Sequence, residues 1–218
     1  MTIRIDVISD VVCPWCYIGK RRLARTLELF RAGSGKATQI DVVWRPFQLN
    51  PQLPREGIDR SEYLAAKFGS RAQEIYSRVT TVGRSVGIEF AFDRIVRQPN
   101  TVSAHQLIAL ALRYGKQDEM VETLFGGYFL EGLDLTRSDN LIELARRVGL
   151  DGQAARHCLA DDAQRQAVLA DDDQARALGV SGVPFFIFEH RLAVSGAQEP
   201  EVLLRALKEA ATETIDQT

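Results

Sequence analysis

The chain opens on an alternation of apolar and polar residues, Ile3-Arg4-Ile5-Asp6-Val7, the period of a half-buried strand that ends near Asp10. The period then changes. Leu23, Leu27 and Phe30 recur at helical spacing, and Pro14 suits the first helical position, where its missing N–H is not needed. Gly33-Ser34-Gly35 breaks this helix, and Ile40 to Trp44 reads as a buried second strand stopped by Pro46. From about Asn50 to Asp161 the pattern is helical: one helix from Ser61 towards Val86, a break at Gly87 to Phe90, and a turn at Gln98 to Thr101. Further helices are expected through Leu112 and over Met120–Leu130, Asp139–Val148 and Gln153–Leu159. A helix from Asp161 or Asp162 to Leu178 carries the run Asp171-Asp172-Asp173, read as a solvated face. Then come the turn and buried strand Val180 to Phe188, a short strand Arg191 to Val194, and a last helix Val202 to Ala211.

The order is thus β-α-β, a helical block, then α-β-β-α. With the strands in one sheet and helices on both faces, this is an α/β fold with a large all-helical insertion. The sheet domain takes residues 1–52 and 162–218, and the insertion takes residues 53–161. Hydrophobic residues at 45% and charged residues at 26% exclude a disordered or fibrous chain. The 27 basic residues against 29 acidic ones offer no excess for nucleic acid or an anionic membrane surface. No apolar run approaches the roughly 20 residues needed to span a bilayer. The N-terminus has no charged head followed by an apolar segment, so it does not read as a signal peptide, and a cytoplasmic location is expected.

The three cysteines, Cys13, Cys16 and Cys158, are too few for a disulfide scaffold. Cys13 and Cys16 fall at a strand-to-helix junction with C-x-x-C spacing, which lets two thiols on the first helical turn close a disulfide with little rearrangement. Free N–H groups and the positive helix end favour a thiolate at Cys13. Cys16, one turn further in, is expected to be more buried. Cys13 then attacks and Cys16 resolves, or the reverse sequence oxidises a substrate. Zinc would need two more ligands, and His157 and Cys158, adjacent on a helix, point about 100° apart; no metal is expected. A second signal is Gly182-Val183-Pro184 before an apolar strand. The proline removes a ladder donor and leaves that strand's edge open. With Val183–Pro184 cis, the Val183 main chain would face the cysteines and could pair with an extended peptide or a glutathione backbone.

C-P-W-C after a strand, with S-G-V-P-F-F before a late strand, resembles the thioredoxin superfamily, and the helical insertion and chain length resemble the DsbA family. The segments Ser9–Gly19 (S-D-V-V-C-P-W-C-Y-I-G), Pro99–His105 (P-N-T-V-S-A-H) and Val194–Gln198 (V-S-G-A-Q) resemble the cytoplasmic FrnE-like branch, related to 2-hydroxychromene-2-carboxylate isomerases and kappa-class glutathione transferases. The resemblance spans essentially the whole chain. It implies a thioredoxin-like fold, a cis Val183–Pro184 bond and protein disulfide oxidoreductase activity on disulfide- or thiol-bearing proteins. No tightly bound cofactor is implied; glutathione is a candidate co-substrate. The isomerases and kappa transferases generally carry serine where this chain has Cys13, so the second reading, a glutathione-dependent isomerase or transferase, is the weaker fit. FrnE-like proteins can carry a second cysteine pair; here Cys158 stands alone and reads as a buried structural thiol. Trp15 is placed to cover the disulfide or contact substrate. Asn100 or Thr101 can cap the helix that follows; the resemblance brings His105 near the site as a group that tunes Cys13, and Asn100 is otherwise a contact to a bound thiol ligand. Ser195 and Gly196, with Ala197, precede a helix N-terminus and would take the γ-glutamyl end of glutathione. The chain is expected to be a monomer or homodimer.

Overall fold

The computed structural model describes residues 2–33 and 38–215. Strand β1 (Thr2–Ser9) lies inside a four-stranded sheet of order β2-β1-β5-β6. Strand β2 (Gln39–Pro46) runs parallel to β1, with Ile5 opposite Val42. A parallel pair needs a crossover, and helix α1 (Pro14–Ala32) supplies it. Strands β5 (Phe185–Phe188) and β6 (Leu192–Ser195) continue the sheet antiparallel, with Val7 opposite Phe186.

The alternation along β1 sorts its residues between two layers. Ile3, Ile5 and Val7 join Leu23 and Phe30 of α1, Phe186 and Phe188 of β5, and Leu203 and Leu207 of helix α9 (Pro200–Ile215) in the main core. Ile8 points the other way, joining Phe47, Val180 and Ala175 of helix α8 (Asp162–Ala177). Asp6, on the Ile8 side, is held by Arg4 and Arg45 at 3.0 and 2.9 Å.

Between β2 and α8 lie α2 (Arg60–Phe68), α3 (Ala72–Ser85), α4 (Val102–Arg113), α5 (Gln117–Phe129), α6 (Ser138–Arg147) and α7 (Gly152–Ala160). Helix α4 is buried nearly all round and touches α5, α6, α7 and α8, as an apolar helix interior to a bundle does. Aromatic residues tie this part to α1: Tyr17 stacks on Phe125 at 4.9 Å, and its hydroxyl donates to Glu122 at 2.7 Å.

Several sequence expectations need correction. The helix expected from Ser61 to Val86 is two helices, because Gly69 takes φ +55° and starts a 3-10 turn. The block read as wholly helical contains a ribbon, β3 (Ile58–Asp59) against β4 (Arg97–Gln98), too short to leave a period in the sequence. The acidic run is not uniformly solvated. Asp172 is 2% exposed and accepts from the Gln48 main-chain and side-chain nitrogens, both at 3.1 Å, with Arg176 one turn away. Strand β5 is interior rather than an edge, so only Val183, ahead of the strand, can offer an open main chain. The last helix starts at Pro200, earlier than expected. Gly33 ends α1 as expected, while Ser34 and Gly35 fall outside the described residues.

Candidate active site

The end of β1 delivers the chain to the helix start through Asp10, Val11 and Val12. The Cys13 N–H donates to the Asp10 carbonyl at 3.0 Å, and Cys13 becomes the N-cap of α1 with extended backbone, φ −94° and ψ 110°. Its carbonyl accepts from the Cys16 N–H at 3.0 Å. The Cys13 side chain is not used as a cap. It points across to the Val183 carbonyl, 3.5 Å from Sγ. The Val183–Pro184 peptide is cis. Cys13 keeps 4% of its surface, whereas Cys16 has none. Burial pushes the Cys16 thiol well up, and the adjoining Cys13 sulfur adds to this; hydrogen bonds from the Asp10 main chain and the Ser9 side chain offset it only in part. All three cysteines are free thiols.

Successive turns of α1 then run along the segment from Val183 to Pro200. A Cβ on Gly19 would stand 2.9 Å from Pro184 Cγ, so only glycine lets the helix pass this close. The Pro184 carbonyl accepts from the Gly196 N–H at 2.8 Å, where Gly196 turns at φ +81°. Arg22 donates to the Ala197 carbonyl and pairs with Glu199, and the Thr26 hydroxyl donates to the Pro200 carbonyl at 3.2 Å. Ser195 and Gly196 thus lie beside Pro184. Glu199, already paired with Arg22, brings its own carboxylate to the start of α9.

The other expected residues fall into place around this core. Trp15 is half-buried against the main core. His105 is 3% exposed, with Nε2 3.5 Å from Oδ1 of the fully buried Asp10. Asn100 is engaged at both ends of its amide, accepting from the Val102 N–H at 3.1 Å and donating to the Leu53 carbonyl at 2.9 Å, while Thr101 is the N-cap residue of α4 and its side chain caps nothing. Cys158 is buried and donates to the Gln106 carbonyl at 3.4 Å. Asp10 was not singled out from the sequence. Its signal was a lone acid next to the apolar Val11-Val12 and just ahead of the cysteines.

A C-x-x-C pair opening a helix, facing a cis-proline loop beside a mixed sheet, defines a thioredoxin-type fold of the DsbA kind. The chain belongs to the DSBA-like thioredoxin domain family, whose model matches residues 4–208. It is similar to the structure of the probable DsbA oxidoreductase SCO1869 from Streptomyces coelicolor, at 32% identity and TM-score 0.86, covering 97% of this chain and 91% of that one. It is 28% identical to the uncharacterized protein YwbO of Bacillus subtilis, covering 96% of this chain and 98% of that protein. Two structures at 15% identity share the fold: 2-hydroxychromene-2-carboxylate isomerase, at TM-score 0.71 with 99% of both chains covered, and the cytosolic disulfide reductase DsbM of Pseudomonas aeruginosa with GSH, at TM-score 0.62 with 98% of both. Among the described residues no helix is long and apolar enough to cross a membrane.

Proposed function

We propose that the protein is a thiol–disulfide oxidoreductase working through Cys13 and Cys16. The observation that carries this is the asymmetry of the pair. Cys13 caps a helix with its sulfur free of capping duty and aimed at the Val183 carbonyl, while Cys16 lies fully buried behind it. In the reducing direction the Cys13 thiolate attacks one sulfur of a substrate disulfide, forming a mixed disulfide and releasing the first substrate thiolate, which takes a proton. Cys16 then loses its proton and attacks Cys13 Sγ. The second substrate thiolate leaves, and two electrons have passed to the substrate. The reverse sequence oxidises a dithiol. Val183 is the main-chain partner for an extended substrate, with Trp15 and Pro184 beside it.

We read the substrates as proteins bearing disulfides or thiols, and the location as cytoplasmic, on an N-terminus that does not read as a signal peptide. Glutathione fits as the thiol that regenerates the pair; DsbM, which shares the fold, has been solved with GSH. Its γ-glutamyl end would lie at Ser195 and Gly196. The expected tuning role of His105 would act through Asp10, its nearest buried carboxylate.

The test is a trap. Cys16→Ser replaces the resolving thiol with a far weaker nucleophile, so a disulfide-bearing protein should accumulate as an adduct on Cys13 that dithiothreitol removes. Cys13→Ser should trap little. An adduct on Cys16 or Cys158 would reverse the assignment. No adduct at all, together with glutathione-dependent isomerase activity, would replace it with the isomerase reading.

A further inference from the structure

The Val183 carbonyl is held by a donor whose proton the disulfide reaction removes. The carbonyls near it have donors that keep their protons throughout: Pro184 accepts from the Gly196 N–H at 2.8 Å, Ser195 from the Gln198 side-chain amide at 2.9 Å, and Ala197 from Arg22. Among the described residues no main-chain N–H reaches the Val183 carbonyl, and its hydrogen bond comes from the Cys13 thiol at 3.5 Å. The thiol is free for this because it plays no part in capping α1. Val183 is half-buried, and a buried carbonyl without a donor is costly, so the contact stabilises the dithiol form.

Closing a Cys13–Cys16 disulfide takes the proton off Cys13. A disulfide sulfur has nothing to donate, so the Val183 carbonyl loses its partner. A substrate has to reach Cys13 itself, and so approaches the carbonyl from the side on which the thiol sits. The donors that an extended chain brings there are its main-chain N–H groups. On the disulfide form such an N–H meets an unpaired acceptor. On the dithiol form it must first displace the thiol.

We propose that the Cys13 thiol gates the Val183 carbonyl, so that the disulfide form takes up an extended peptide or glutathione main chain more tightly than the dithiol form does. This rests on the disulfide-exchange reading and adds a redox preference to its substrate edge. One turnover in the oxidising direction shows the consequence. A substrate thiolate attacks Cys13 Sγ, the Cys13–Cys16 bond breaks, and Cys16 takes the proton that the substrate thiol gave up. A second substrate thiolate attacks the first substrate sulfur, and Cys13 leaves and takes the second proton. Two electrons have entered the pair and the substrate disulfide is complete. The new S–H returns to the Val183 carbonyl and displaces the product main chain, which couples oxidation of the substrate to its release. By linkage, a bound main chain shifts the pair towards the disulfide by the same factor as the affinities differ.

The probe is γ-glutamyl-2-aminobutyryl-glycine, which is glutathione with a methyl group in place of its thiol, so it carries the main chain but cannot exchange. Isothermal titration calorimetry measures its affinity for the full-length protein with the pair oxidised, with the pair reduced, and for Cys13→Ala. The net worth of one hydrogen bond corresponds to a change in affinity of about two- to tenfold, and the oxidised form should bind the probe more tightly than the reduced form by that margin. Cys13→Ala has no thiol to donate and should match the oxidised form. A probe methylated on its aminobutyryl nitrogen cannot donate from that position and should show no preference between the forms. Equal affinities, tighter binding by the reduced form, a Cys13→Ala protein that follows the reduced parent, a preference kept by the methylated probe, or no binding by any form would each overturn the proposal. None of these measurements needs an exchange step. A gain in affinity in Cys13→Ala with a failed Cys16→Ser trap would sink the exchange reading and leave the gate standing, and a working trap with equal affinities would do the reverse.

Discussion

Gly19→Ala adds one carbon where α1 passes the proline loop. The new Cβ would meet Pro184 Cγ at 2.9 Å, Phe186 Cζ at 3.2 Å and Pro184 Cβ at 3.4 Å. Carbon atoms rest at about 3.5–4.0 Å, so helix and loop must separate by roughly half an ångström or more. Neither side yields easily. Pro184 is a ring whose carbonyl is tied to Gly196, and Phe186 is fully buried in an interior strand. The helix is clamped through Tyr17 and Arg21 to Glu122 and through Arg22 to Ala197. Overpacking of this kind costs about 1–3 kcal/mol, against a gain of about 1 kcal/mol for alanine over glycine in a helix. The variant should therefore be destabilised by about 1 kcal/mol. The same separation widens the 3.5 Å approach of Cys13 Sγ to the Val183 carbonyl. Misplacing reacting groups by about 1 Å can cost 100-fold, so a fall of about tenfold in the rate of disulfide reduction is expected. Urea unfolding and stopped-flow reduction of a fluorescent peptide disulfide measure the two effects. A Gly19→Ala protein more stable than the parent, as helix propensity alone would make it, with an unchanged exchange rate, would refute the reasoning.

Other outcomes follow from the buried polar contacts. Burial alone would push the Glu122 carboxyl up, but hydrogen bonds from Arg21 and Tyr17 and the charges of Arg21 and Lys20 outweigh it, and the net direction is down. Its stabilisation is therefore present above the ordinary glutamate value of about 4.3 and is lost as pH falls through the lower folded value. Glu122→Gln should cost about 1 kcal/mol at pH 7, and the parent's advantage should shrink to nothing under strongly acidic conditions; a difference independent of pH in urea titrations would contradict this. Asp172→Ala strips the acceptor from the Gln48 main-chain N–H and should cost about 2–3 kcal/mol by thermal or urea unfolding, whereas an exposed acid would cost almost nothing. Cys158→Ser keeps a donor for the Gln106 carbonyl, so stability should change by about 1 kcal/mol or less and adduct formation on Cys13 should be unaltered; an adduct lost with Cys158 would give that thiol a role in exchange.

Much of the candidate site could be read along the chain because its parts are local. Cys13, Pro14 and Cys16 share one helical turn, and their chemistry follows from spacing and the helix end. Asn100 could be read as serving the start of α4 for the same reason, since the N–H that its side chain accepts from lies two residues on. Cys158 was legible as a buried thiol from its place on a helix with a single cysteine. The acidic run was misread at Asp172 because a charge count along α8 says nothing of Gln48, which meets that helix from the chain after β2. Arg60 and Gln98 stand 38 residues apart and meet only because a two-residue ribbon pairs, an element with no periodic signature.

The sequence by itself determined the order of the elements, the strand-to-helix junction that holds the thiol pair, and the family motifs around Pro184. These rest on short-range causes: side-chain period, caps and turn residues, each acting within a few positions. Tertiary structure alone decided that β5 is interior, that Gly19 is needed opposite Pro184, and that Glu199 pairs with Arg22. It also decided that the buried Asp10 meets His105 of α4. Those properties depend on desolvation and on distances between segments far apart in the chain, and they exist only once the sheet and helices have closed on one another.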